Sequence, residues 1–118
     1  MRREPRAFLW DVVENAEAIA RFVRGRDQND YCSDDMLRAA VERKLEIIGE
    51  ALSQLSKVAP DLAAAIPEMR QAVGTRNVLI HGYTLTDNEV VWGTVQKDIP
   101  LLRHRVEALL EQLGGIGS

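Results

Sequence analysis

The chain has 118 residues, 46% hydrophobic and 28% charged, with a formal net charge of −3. That make-up fits one globular domain over residues 1–118 and is too short for two. It excludes a protein that coats nucleic acid through bulk positive charge, yet leaves room for a focused anion site.

No apolar run reaches the length of a membrane span, and Met1-Arg2-Arg3-Glu4-Pro5-Arg6 is not followed by a signal-type apolar block. A cytoplasmic protein is therefore expected. Cys32 is the single cysteine, which rules out an internal disulfide.

The first predicted helix covers about Arg6 to Arg24. Leu9, Val12, Val13, Ala16, Ile19, Ala20 and Val23 make one broad apolar face, with Asp11, Glu14, Glu17 and Arg21 outside. Gly25 is its natural stop, and residues 24–30 read as a polar connection. Arg24 and Arg26 could touch phosphate, but a solvated helix end is the favoured reading.

The second helix is predicted to start at a Ser33 cap, with Asp34 and Asp35 in its first turn, and to reach about Val58 ahead of Pro60. Val41, Leu45, Ile48, Leu52 and Leu55 form one apolar stripe; Met36, Ala40, Ile47 and Ala51 form another. Two such faces predict burial on two sides, in a bundle centre or at a dimer interface. Gly49 costs this helix about 1 kcal/mol relative to alanine, and close approach of another helix would explain it.

Residues 60–66 read as a short turn, and a third helix runs from Pro67 to about His81. Thr86-Asp87-Asn88-Glu89 has capping-box spacing and is expected to open a fourth helix. The stripe of that helix is Val91, Val95, Ile99, Leu102, Val106, Leu109 and Leu113. Pro100 predicts a kink, or a break recapped by Asp98. Residues 114–118 read as a frayed tail, and no segment reads as a strand. The expected fold is an all-α, up-and-down bundle of four to five helices.

One stretch does not fit a purely structural reading. Met69, Val73, Arg76 and Ile80 step at helical period, so Arg76 stands where an apolar residue belongs. A guanidinium cannot shed its proton, so it must meet a carboxylate, backbone carbonyls or an anionic ligand. Glu50 is a candidate counter-ion. His81 lies five residues on, about 140° round an ideal helix, and Gly82 is the usual left-handed stop that puts it in the last turn. There the helix dipole favours the imidazolium. Simple alternatives exist: an ion pair for Arg76, capping for His81, and packing of Tyr83 back on Val78.

Arg-x4-His-x-Tyr, here Arg76 to Tyr83, resembles the signature of the HEPN domain, and most closely that of the HepT-like toxins. Glu46-Ile47-Ile48-Gly49-Glu50-Ala51-Leu52 is similar to the family's second helix and Val90-Val91-Trp92 to its later one. The resemblance runs from about Asp11 to Leu113. It implies a HEPN-like homodimer whose composite site takes Arg76 and His81 from both protomers. The activity it implies is metal-independent endoribonuclease cleavage of RNA, by 2′-OH attack that leaves a cyclic phosphate. The biological role it implies is the toxin of a toxin–antitoxin pair, with a nucleotidyltransferase antitoxin that transfers AMP to Tyr83.

Residue chemistry is compatible with that expectation. An imidazole near neutral pKa can move protons at the 2′-OH and the leaving oxygen, and an arginine fork can hold the charge that grows on phosphorus. Asn77 could orient phosphate or imidazole, or simply be an exposed or dimer-edge residue. No His/Cys/Asp cluster has metal-ligand spacing, no Ser-His-Asp set or Gly-rich phosphate loop is present, and no cofactor is expected. His104, between Arg103 and Arg105, reads as a surface residue. The rival readings are a noncatalytic helical adaptor that docks a nucleotidyltransferase or a nucleotide through Arg76, and a plain dimerisation module.

Overall fold

The computed structural model of the chain describes residues 4–69 and 85–114. Among them every regular element is helical: α1 (Pro5–Val23), α2 (Gln28–Ser33), α3 (Asp35–Val58), α4 (Pro60–Ala64), α5 (Leu85–Gly93), a π-helical turn (Thr94–Asp98) and α6 (Ile99–Gln112). The all-α expectation holds for these residues.

The core is built from the stripes the sequence displays. Val41, Leu45, Ile48, Leu52 and Leu55 of α3 are sealed from solvent, as are Leu9, Val12 and Ile19 of α1 and Leu102 and Val106 of α6. Helix α1 lies against both α3 and α6, so three long helices share one apolar seam. The second stripe of α3 behaves differently. Ala51 is buried and Ala40 and Ile47 are half-buried, but Met36 is 84% exposed. The described residues therefore cover one side of α3 fully and the other only in part.

The stretch from Arg24 to Asp35 departs from expectation. Helix α1 does stop at Gly25, whose φ of 75° is the left-handed conformation glycine tolerates. The polar connection, however, contains α2. Asp27 caps it: its side chain accepts from the Asp30 N–H at 2.8 Å, while Asp30 accepts from the Asp27 N–H at 3.0 Å. Ser33 closes α2 instead of opening the next helix, its hydroxyl donating to the Asn29 carbonyl at 2.7 Å. The α3 cap is Asp34, which accepts from the Leu37 N–H at 3.0 Å.

What holds α2 in place is Tyr31, fully buried, with its ring centroid 5.5 Å from that of Trp92 on α5. Arg38 of α3 reaches back to the carbonyls of Tyr31 and Cys32 and pairs with Asp35. It thus satisfies two acceptors that the end of α2 leaves open.

Two further expectations are corrected, and at Pro100 one of the two expected alternatives, the break, is excluded. Residues 60–64 form α4, a single helical turn started by Pro60, because proline at the first helical position gives up an N–H that has no partner there anyway. Helix α5 already runs at Leu85, so Thr86 lies inside it and not at its start. Pro100 causes no break, and Asp98 is helical with no side-chain cap. The Ile99 N–H donates to the Thr94 carbonyl, five residues back. That wider turn opens the helix where the proline ring would otherwise meet the carbonyl four residues earlier.

Two substitutions test this account of the fold. Leu52→Ala should lower unfolding free energy by about 2–5 kcal/mol through lost burial and a cavity. Asp34→Ala should cost about 1 kcal/mol through the lost cap. Urea denaturation followed by circular dichroism measures both.

Candidate functional site

Arg76, Asn77, His81 and Tyr83 lie outside the described residues, as do Val73, Ile80 and Gly82 and nearly all of the expected third helix. The structure does define the two flanks of this segment and the position of Glu50.

Upstream, Ile66 is buried and Met69 is half-buried against the core. Glu68 is held by α6: Arg105 donates from Nε to Glu68 Oε1 at 3.2 Å and from an Nη to Oε2 at 3.4 Å. This two-pronged geometry suits a planar guanidinium. No sequence signal announces a pair 37 residues apart, and the sequence reading missed it.

Downstream, Val91 and Trp92 are buried beside α2, and Asn88, one turn earlier, is only 3% exposed. Among the described residues the Asn88 Oδ1 has no hydrogen-bond partner. A buried acceptor left open costs about 1–3 kcal/mol. The helical spacing Asn88, Val91, Val95 could have revealed this inward-facing amide, but Asn88 was read only as part of a cap. Residues 70–84 therefore connect two firmly seated ends.

Glu50 lies on α3 with an exposed side chain, and its Oε1 accepts from the Gln54 amide at 2.9 Å. It is at the surface of the described structure, and its pairing with Arg76 falls outside the described residues. Gly49, next to it, is buried.

His104 is exposed, as expected, on the rim of a hollow of about 450 Å³ between α1 and the π turn. The Arg103 Nε stands 3.5 Å from Glu107 on the same wall. Arg26 stands 3.7 Å from Asp34, consistent with a helix-end ion pair. Among the described residues no three His, Cys, Asp or Glu side chains are grouped to hold a metal ion. No described helix is long and apolar enough to cross a membrane.

Among the described residues every regular element is helical, and in the sequence the Arg-x4-His-x-Tyr segment falls between α4 and α5, the order expected from the resemblance to HEPN domains. Comparison with known proteins makes this specific. The family model described as Ribonuclease HepT-like matches residues 12–109, and the chain belongs to that family. It is 38% identical over 109 residues to the "Probable ribonuclease HepT" of Thermococcus cleftensis, covering 92% of this chain and 98% of that protein. It is 36% identical over 108 residues to "Putative RNase MJ1380" of Methanocaldococcus jannaschii, covering 90% and 96%. No solved structure matches the chain.

The Glu68–Arg105 pair is partly exposed, so its worth is limited by solvent screening. A double-mutant cycle of Glu68→Ala and Arg105→Ala should give a coupling of about 1 kcal/mol or less in urea denaturation, smaller at high salt.

Proposed function

We propose that this protein is a metal-independent endoribonuclease, the toxin of a toxin–antitoxin pair, acting on RNA as a homodimer in the cytoplasm. The observation that carries the reading is Arg76-x4-His81-x-Tyr83 within a chain of the HepT-like ribonuclease family. One arginine and one histidine are a thin set for phosphodiester cleavage. A two-fold axis would place two of each in one cleft.

In this reading His81 of one protomer takes the proton from the 2′-OH as its oxygen attacks phosphorus. The new bond is 2′-O–P, and the bond that breaks is P–O5′. The second His81 gives a proton to the departing 5′ oxygen, leaving a 2′,3′-cyclic phosphate and a 5′-hydroxyl. Arg76 holds the non-bridging oxygens as charge accumulates on them. Asn77 orients phosphate or imidazole, and Glu50 is the supporting carboxylate for Arg76.

Tyr83 is the point of control. Its hydroxyl attacks the α-phosphate of ATP on a nucleotidyltransferase antitoxin, and pyrophosphate leaves. The resulting adenylyl group adds bulk and negative charge where substrate phosphate must sit.

The first test is RNA cleavage in excess chelator by wild type, Arg76→Ala and His81→Ala, with folding checked by circular dichroism. His81→Ala should lose about 10²–10⁴-fold and Arg76→Ala about 10²–10³-fold in rate. Equal rates in all three would refute the nuclease and favour a helical adaptor. The second test is mass spectrometry after incubation with ATP and the nucleotidyltransferase. One adenylyl group on Tyr83, absent in Tyr83→Phe, is expected; label elsewhere or none refutes this mode of control.

A further inference from the structure

The outer face of α1 carries a group of side chains that the proposed cleavage site does not use. Trp10, Glu14, Glu17 and Arg21 recur at spacings of four, three and four residues, so they form one stripe along the helix. With Lys44 of α3 they line a largely polar hollow of about 530 Å³.

Three features of this hollow stand out. Trp10 is 38% exposed, whereas tryptophan is usually covered and the other tryptophan, Trp92, is 8% exposed. The half-buried Lys44 makes no ion pair among the described residues. Arg21 meets Glu17 only at 3.9 Å, and both are more than half exposed, a contact worth little.

We infer that Trp10, Lys44, Arg21 and the two glutamates form a binding subsite for one nucleotide of a single-stranded RNA. The inference rests on the nuclease reading for its choice of ligand. An indole face beside cations is the combination by which proteins hold unpaired strands, the base stacking and the cations taking phosphate. Lys44 and Arg21 supply the cations. The carboxylates, which would only repel a bare phosphate, suit a base with an exocyclic amine, because a carboxylate can only accept hydrogen bonds. Cytosine presents such an amine, while uracil presents a carbonyl at the same place and would face the carboxylates acceptor to acceptor. The subsite holds one nucleotide of the bound strand and reacts with nothing.

The test uses 2′-O-methyl pentacytidylate and pentauridylate, which lack the 2′-OH and cannot be cut. Binding to the full-length protein is followed by tryptophan fluorescence and by anisotropy of a labelled strand. Saturable quenching is expected, since Trp10 is the accessible indole, with the cytidine strand bound more tightly than the uridine strand. Trp10→Ala should weaken binding about tenfold, and Trp10→Phe should keep most of it. Lys44→Glu should weaken binding and flatten its salt dependence.

With cleavable RNA, Trp10→Ala should raise KM and leave kcat unchanged. Equal affinity of wild type and Trp10→Ala, no quenching, or equal affinity for the two strands overturns the subsite. Trp10-dependent binding without any cleavage would sink the nuclease reading and leave the subsite standing. Cleavage that is indifferent to Trp10 and Lys44 would do the reverse.

Discussion

The described fold depends on the dry seam along α3. Val41, Leu45, Ile48, Leu52 and Leu55 are at most 1% exposed, and burying each such side chain is worth about 1.5–3 kcal/mol. No ion pair among the described residues is comparable, because each has at least one partner open to solvent. With α1 packed on this seam and α6 packed on α1, the stem that reaches Glu68 through Arg105 is fixed. Tyr31 and Trp92 fix the other end through α2 and α5. The motif segment is thus delivered from rigid ends on both sides, which is what a site needing close positioning of a few groups requires.

The distribution of charge follows the same economy. Most described arginines have a carboxylate or carbonyl partner close by: Arg6 with Glu4, Arg21 with Glu17, Arg26 with Asp34, Arg38 with Asp35 and the end of α2, Arg43 with Glu46, Arg103 with Glu107, Arg105 with Glu68. Among the described residues, arginines committed in this way present no broad basic surface. If the chain grips RNA it must do so at a few places, by positioned groups more than by bulk attraction.

How much of this could be read from the sequence depended on whether the signal was periodic. The stripes of α1, α3 and α6 were plain, because apolar residues at helical spacing have few other uses. The run from Asp27 to Asp35 was misread because it holds Asp27, Asp30, Ser33, Asp34 and Asp35, each able to cap. The choice among them was made by packing, which had to bury Tyr31 and set Leu37 and Val41 facing the core. At Pro100 the sequence announced a disturbed helix but not the remedy, since a π turn has no residue code of its own. The Glu68–Arg105 contact joins distant positions and needed the fold to appear. The motif itself was visible as one charge in an apolar stripe, followed by His81, Gly82 and Tyr83. Its family membership is now shown, while its geometry lies beyond the described residues.

In the proposed function an arginine and a histidine, without metal, drive a 2′ oxygen onto phosphorus. The chemical ends of the cut RNA report on that step directly. Phosphorus NMR of the products made in excess chelator should show a 2′,3′-cyclic phosphate opposite a 5′-hydroxyl. A 5′-phosphate opposite a free 3′-hydroxyl would mean that water or another nucleophile had attacked instead, and would contradict the account.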